Sequence, residues 1–112
     1  MAQATRSINK LTPEVRRQIN QYRKLLVDAN IPVSQIIVFG SQAKGKTHSG
    51  SDIDLAVVSP SFDKDHFDAL GRLMRVRDDD TIDIEPHPLH PDDLNDRWST
   101  FAQEIKRHGI RV

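Results

Sequence analysis

Two aspartates separated by one residue, Asp52 and Asp54, are the residues of this sequence best placed to do chemistry. They begin the apolar run "DIDLAVV", which predicts a β-strand. Side chains alternate across a strand, so both carboxylates would lie on one face while Ile53, Leu55 and Val57 point into the core. Like charges this close repel one another unless a cation lies between them. Because Mg²⁺ prefers oxygen ligands and keeps substrate phosphates in its shell, the pair is a candidate metal clamp.

A third carboxylate is available on a later predicted strand. Asp83 lies between two isoleucines in "TIDIEP", where polar and apolar residues alternate. If this strand neighbours the first, Asp83 completes a cluster of three acids. Such a cluster can hold two metal ions about 3.5–4 Å apart, the arrangement that catalyses phosphoryl and nucleotidyl transfer.

Gly40 and Ser41 form a candidate phosphate site. They end the β-branched run "VSQIIVF", which predicts a buried strand, and precede the short turn "QAKG". Backbone N–H groups exposed there, together with the Ser41 hydroxyl, can hold the terminal phosphates of a triphosphate. Gly40 lets the phosphate approach the backbone closely because it has no side chain.

The same stretch also fits the P-loop pattern. Residues 40–47, "GSQAKGKT", match G-x-x-x-x-G-K-[ST] at every fixed position. A P-loop opens a long helix, however, and the short segment between Thr47 and the strand "DIDLAVV" cannot hold one, while Gly50 favours a turn. No separate apolar strand ending in Asp supplies the second P-loop element. A P-loop ATPase that depends on Lys46 is therefore the weaker alternative.

Taken together, these motifs resemble the nucleotidyltransferase superfamily of DNA polymerase β type. The stretch "FGSQAKG…SGSDIDLAVV" followed by "IDI" is similar to its signature of an apolar residue, Gly-Ser, D-x-D and a third acid on a later strand. The short length and the ending "IEPHP…EIKRHGIRV" look most like the minimal nucleotidyltransferase (MNT) group. The resemblance covers residues 33–86 well and the tail loosely.

The resemblance implies transfer of a nucleoside monophosphate, AMP from ATP or its equivalent from another nucleoside triphosphate, to an acceptor hydroxyl. Asp52, Asp54 and Asp83 would be the catalytic residues and would bind two Mg²⁺ ions. Glu85 shares a face with Asp83 and is the alternative third acid, although the apolar–Asp–apolar pattern favours Asp83. The nucleotide would be bound by Gly40, Ser41, Lys44 and Ser51.

Two positions depart from the pattern of many relatives, which carry arginine there. This chain has Gln42 and Lys44 instead, and lysine lacks the bidentate fork with which arginine holds phosphate.

The MNT group commonly occurs in toxin–antitoxin pairs, where the MNT protein transfers AMP to a tyrosine of a HEPN-domain ribonuclease. The resemblance therefore implies a HEPN-type protein partner, or self-association, as the source of the acceptor. The alternative to an enzyme is a non-catalytic binding module that neutralises a partner by contact alone.

Composition predicts one cytoplasmic domain over residues 1–112, with residues 1–10 as a candidate flexible N-terminus. The chain is 37% hydrophobic and 29% charged, and its 16 basic residues balance its 16 acidic ones. No large nucleic-acid footprint is therefore expected. The absence of cysteine excludes disulfides, thiolate catalysis and a cysteine zinc site. No apolar run is long enough to span a bilayer, and the start lacks a signal-peptide core, so no membrane partner is expected.

The expected fold is a small mixed α/β sheet of three to four strands flanked by helices. Periodicity predicts helices within 11–30, over about 64–77 and from Leu94 to Gly109. Phe67, Trp98 and Phe101 are expected to face the core. Strands are predicted over 33–39, 52–58 and 81–86, with Pro86 and Pro88 closing the last one. In this pattern His87 and His90 belong to an irregular connector, where a capping or solvated role is expected in preference to metal ligation.

Overall fold

A computed structural model describes residues 11–45, 52–62 and 66–112 of the chain. The described helices are α1 (Pro13–Asp28), α2 (Gly40–Lys44), α3 (His66–Arg75), α4 (Pro91–Leu94) and α5 (Thr100–His108). The strands are β1 (Gln35–Phe39), β2 (Ile53–Val58), β3 (Ile84–Leu89) and β4 (Ile110–Arg111), and they form one mixed sheet in the order β3-β2-β1-β4. This confirms the predicted mixed α/β sheet flanked by helices. The proposed flexible segment 1–10 lies outside the described residues, and the domain bounds stay a prediction.

Helix α1 follows directly from its sequence. The Thr12 hydroxyl accepts a hydrogen bond from the Val15 N–H at 3.2 Å, and Pro13 occupies the first turn, where its missing N–H costs nothing. The buried side of α1 includes Tyr22, whose hydroxyl donates to the Leu73 carbonyl at 2.7 Å and so ties α1 to α3. Within the described ranges, no helix has the length and apolar character needed to cross a membrane.

Strand pairing gives the sheet its mixed character. β1 and β2 are antiparallel, with Phe39 opposite Asp54, and the one-turn helix α2 lies in the connection between them. β2 and β3 are parallel, with Asp54 opposite Glu85. Helix α3 lies in the crossover between β2 and β3, as the sequence predicts for a parallel pair.

Strand β3 continues through both of its prolines, so the prediction that Pro86 and Pro88 end it is wrong. The carbonyls of Asp83 and Leu89 accept hydrogen bonds from the backbone at the two ends of β2. Odd-numbered residues of β3 therefore point their backbone groups towards β2, and the even-numbered prolines point theirs to the open edge. A proline is tolerated there because its missing N–H removes no bond of the sheet.

The sheet separates two apolar cores. One face packs against α1 and α3 through residues such as Ile19, Leu55 and Leu73, and the other packs against α4 and α5 through residues such as Ala56 and Ile105.

Three aromatic side chains expected in these cores are exposed instead: Phe67 by 80%, Trp98 by 82% and Phe101 by 38%. The Ser99 hydroxyl caps α5, so the helix begins at Thr100 and its periodicity does not reach Trp98. In α3 the buried side is formed by Ala69 and Leu73, one turn apart, which leaves Phe67 outside.

Candidate active site

The amino ends of the parallel strands β2 and β3 bring three carboxylates together. Asp54 and Glu85 are paired in register, and Asp52 immediately precedes β2. Asp52 lies near enough to Glu85 to contribute to the raised pKa of the Glu85 carboxyl. Asp52 and Glu85 are exposed and Asp54 is half-buried, so the group opens to solvent at one end of the sheet.

Electrostatics in this group favour a cation. Partial burial raises the pKa of Glu85, and the hydrogen bond to Asp52 and the negative charges of Asp54 and Asp52 raise it further. The carboxyl groups of Asp52, Asp54 and Glu85 thus concentrate acidic groups at this end of the sheet. A divalent ion among these oxygens would relieve the repulsion.

The structure places Asp83 outside this group. Asp83 lies in the turn between a 3₁₀ helix (Asp79–Thr81) and β3, one residue before the strand begins. Its Oδ2 accepts a hydrogen bond from Nε2 of Gln18 at 2.9 Å, and Gln18 belongs to α1 on the opposite side of the sheet. Strand alternation does not extend to a residue in a turn, so Glu85, the alternative third acid, is the one that meets Asp52 and Asp54.

Gly40 brings the backbone against the Asp54 carboxylate. Its φ is +71°, a conformation that favours glycine, and a Cβ added there would lie 2.5 Å from Asp54 Oδ2. Ser41 follows, half-buried, in the first turn of α2. The predicted Gly-Ser element and the predicted D-x-D element are therefore in direct contact.

Gln42, which departs from the family pattern, and the predicted nucleotide-binding residues Lys44 and Ser51 have different surroundings. Gln42 is buried, and its Nε2 donates to the backbone carbonyl of Asp52 at 3.4 Å, so it supports the segment that enters β2. Lys44 Nζ lies 2.8 Å from Glu104 Oε1 on α5, and this contact lowers the pKa of Glu104. Ser51 lies outside the described residues. Nucleotide binding by Lys44 and Ser51 stays a prediction.

His87 is a candidate site residue whose sequence context predicted no metal binding. It lies on β3 two residues after Glu85, and its Nε2 is 3.4 Å from Asp54 Oδ1. Asp54, Glu85 and His87 can each offer one ligand atom, with all three atoms within 4.8 Å of one another. The flanking prolines indicated a connector, so His87 was not expected on a strand. Its two-residue spacing from Glu85 was the available signal, because residues two apart on a strand share a face. The expected capping role is confirmed for His90, whose Nδ1 accepts from the Asp92 N–H at 3.0 Å.

The P-loop alternative does not fit the fold. Helix α2 ends at Lys44, before the lysine of the pattern, and β1 and β2 run antiparallel. A P-loop needs a long helix after its strand, with the loop wrapped around phosphate at its start. Lys46 and Thr47 themselves lie outside the described residues.

Comparison with known proteins agrees with this geometry. The nucleotidyltransferase domain family model matches residues 11–107. A crystal structure of a Sulfolobus solfataricus protein assigned as a nucleotidyltransferase has a TM-score of 0.60 and 17% identity, covering 95% of this chain and 83% of that one, a likeness that shows the fold. A crystal structure of a toxin–antitoxin with AMP-PNP has a TM-score of 0.54 and 26% identity, covering 82% of this chain and 69% of the other. No curated protein matches the chain. Because the family model spans most of its length, the chain belongs to the nucleotidyltransferase domain family.

Proposed function

We propose that this nucleotidyltransferase transfers AMP from ATP to an acceptor hydroxyl, using two Mg²⁺ ions held by Asp52, Asp54 and Glu85. The observation that carries the proposal is the meeting of these three carboxylates beside Gly40. Glu85 takes the place that the sequence pattern gave to Asp83, because Glu85 contacts the aspartates and Asp83 is bonded to Gln18.

The residues fit a divalent cation. All three acids offer the hard oxygen ligands that Mg²⁺ prefers, and the pKa of Glu85 is raised by desolvation and by the neighbouring Asp52 and Asp54. The close approach of the Gly40 backbone to Asp54 Oδ2 leaves no side chain between the metal-binding residues and the Gly-Ser segment. Phosphates held by Gly40 and Ser41 would therefore lie beside the ligands of the metal.

The chain's own groups would then divide the work of the transfer. Bound Mg²⁺ would polarise the α-phosphate and neutralise the departing pyrophosphate. Asp52 and Asp54 would hold the ions, and Gly40 and Ser41 would hold the terminal phosphates. The acceptor oxygen would bond to the α-phosphorus as the bond from that phosphorus to the bridging oxygen of the β-phosphate breaks. Glu85 would take the acceptor's proton, a role open to a carboxylate beside the reacting oxygen.

A tyrosine of a HEPN-type toxin is the acceptor we propose. The similar toxin–antitoxin structure contains AMP-PNP, and its 26% identity to this chain supports a related setting. The exposure of Asp52 and Glu85 leaves the carboxylate group accessible to a hydroxyl carried on another protein.

The direct test uses ATP labelled at the α-phosphate, Mg²⁺ and a HEPN-type toxin encoded beside this chain. We expect label on the toxin together with release of pyrophosphate, and no label when the γ-phosphate carries it. The double variant Asp52→Asn, Asp54→Asn should transfer nothing, while Asp28→Asn, which removes an exposed acid at the end of α1, should transfer normally. Absence of α-label on the toxin with the wild-type protein would refute the proposal for this acceptor.

Neutralisation by contact alone is the second candidate. It is favoured by the ion pair between Lys44 and Glu104, which engages the lysine predicted to hold phosphate. In that case the double variant would still neutralise the toxin without modifying it. Toxin activity measured beside the label therefore separates the two functions.

A further inference from the structure

We propose that His87 is a nitrogen ligand of the metal site, and that the site formed by Asp54, Glu85 and His87 therefore binds Mn²⁺ more tightly than Mg²⁺. The inference rests on the proposed function only for the position of the metal. It concerns which ion this chain selects, and it can be tested without any transfer reaction.

The distance between His87 and Asp54 suits two ligands of one metal ion better than a direct hydrogen bond between them. His87 Nε2 is 3.4 Å from Asp54 Oδ1, longer than the roughly 2.7–3.2 Å of a good hydrogen bond. Two ligands bonded at right angles to one ion at about 2.0–2.1 Å lie about 3 Å apart, and opposite ligands lie about 4 Å apart. The three candidate ligand atoms all lie within 4.8 Å of one another. Small side-chain adjustments would bring all three onto one ion.

The imidazole is also held in place. The ring of Phe39 meets the imidazole edge-on, with the two ring centroids 4.9 Å apart. The centroid of the Phe101 ring lies 6.0 Å from that of the imidazole. Phe39 and Phe101 contact each other at 5.2 Å, so the three rings form one packed group. Since β3 also fixes the backbone of His87, little freedom is lost when Nε2 binds an ion.

The chemistry of the ligand set then decides the ion. Mg²⁺ binds oxygen ligands and gains little from a neutral nitrogen. First-row transition ions accept imidazole readily, and Mn²⁺ combines this with a preference for carboxylates. A site with two carboxylates and one imidazole should therefore bind Mn²⁺ in preference to Mg²⁺. A site made of carboxylates alone has no nitrogen ligand by which to favour Mn²⁺.

The test follows Mn²⁺ added alone to the whole chain, by electron paramagnetic resonance. Electron spin echo modulation should show coupling of bound Mn²⁺ to a ¹⁴N nucleus. Labelling the histidines with ¹⁵N should replace the ¹⁴N coupling with a ¹⁵N coupling. In His87→Phe, which keeps an aromatic ring against Phe39 and Phe101, the coupling should disappear. The variant should also bind Mn²⁺ at least about tenfold more weakly, with Mg²⁺ affinity changed less, in line with losses seen when metal-site partners are removed. His108→Asn, an exposed histidine on α5, is the matched control and should keep the coupling.

Three results would overturn the inference. These are no binding of Mn²⁺ by the wild-type chain, bound Mn²⁺ without histidine nitrogen coupling, and coupling that survives in His87→Phe. The isotope exchange needs no variant, so the inference stays testable even if His87→Phe does not fold. A chain that shows the coupling but transfers no AMP would leave the metal assignment standing and refute the proposed reaction, so the two failures are distinct.

Discussion

Replacing Gly40 by alanine tests how closely the backbone after β1 must approach Asp54. Gly40 has a φ of +71°, and the added Cβ would lie 2.5 Å from Asp54 Oδ2. The left-handed conformation alone costs an alanine about 1–2 kcal/mol. The carboxylate must also retreat by roughly 1 Å to reach van der Waals contact, and a misplacement of about 1 Å can cost about 100-fold in rate. We expect Gly40→Ala to lose about 1–2 kcal/mol of unfolding free energy and about 100-fold in transfer.

Gly45 provides the matched control. Its φ is +70°, nearly that of Gly40, but a Cβ added there would meet no atom within 4 Å. Gly45→Ala should therefore lose a similar free energy of unfolding through backbone strain while transfer stays within a few-fold of wild type. Urea unfolding measures the first quantity, and α-labelled ATP with the toxin measures the second. Mn²⁺ affinity gives a readout at Asp54 that does not require the acceptor.

Two results would refute this reasoning. If Gly45→Ala loses as much transfer as Gly40→Ala, general destabilisation explains the loss and the contact with Asp54 does not. If Gly40→Ala keeps full transfer and full Mn²⁺ affinity, the position of the Asp54 carboxylate does not matter to the site.

Three further predictions test the surroundings of the site. The raised pKa of Glu85 means that its stabilising contribution is complete below the ordinary value of 4.5 and is lost as the pH rises through the raised value. Glu85→Gln should therefore gain stability over metal-free wild type as the pH rises to neutral, measured by urea unfolding at several pH values, and should lose about 10²- to 10⁴-fold in transfer. Tyr22→Phe leaves the Leu73 carbonyl without its buried partner and should cost about 1–3 kcal/mol in urea unfolding, with transfer by the folded protein unchanged. Glu104→Gln releases Lys44, so if Lys44 binds nucleotide, ATP affinity measured by calorimetry should rise by a few-fold, and an unchanged affinity would argue against that role.

The sequence predicts the frame of the site well because its signals are local. Helix α1 has a cap, a proline in its first turn and an unbroken apolar stripe, and it forms as expected. β1 and β2 are β-branched runs bounded by turn residues, and both form where they are predicted. Where a single periodicity governs a whole element, the residues alone fix its orientation.

The predictions for the third strand were less accurate because the start and register of β3 are set by pairing with β2. Asp83 lies between isoleucines, but it falls in the turn before β3: its carbonyl accepts a hydrogen bond from the Ile53 N–H, and the strand itself begins at Ile84. Pro86 and Pro88 indicate a strand end unless their backbone nitrogens face an open edge. That condition depends on the strand order, which the sequence does not state.

The same alternation along β3 explains how an exposed edge strand can carry part of the site. Glu85 and His87 point to the face that holds Asp54, while Pro86 and Pro88, which alternate with them, point their backbone nitrogens to the open edge. An edge strand with free N–H groups is a template for pairing with another chain, and prolines at these positions block it. The prolines also fix φ on both sides of His87. Among the described strands β3 thus stays at the edge of the sheet, and in the proposed reaction an acceptor would approach the carboxylates from solvent on this side.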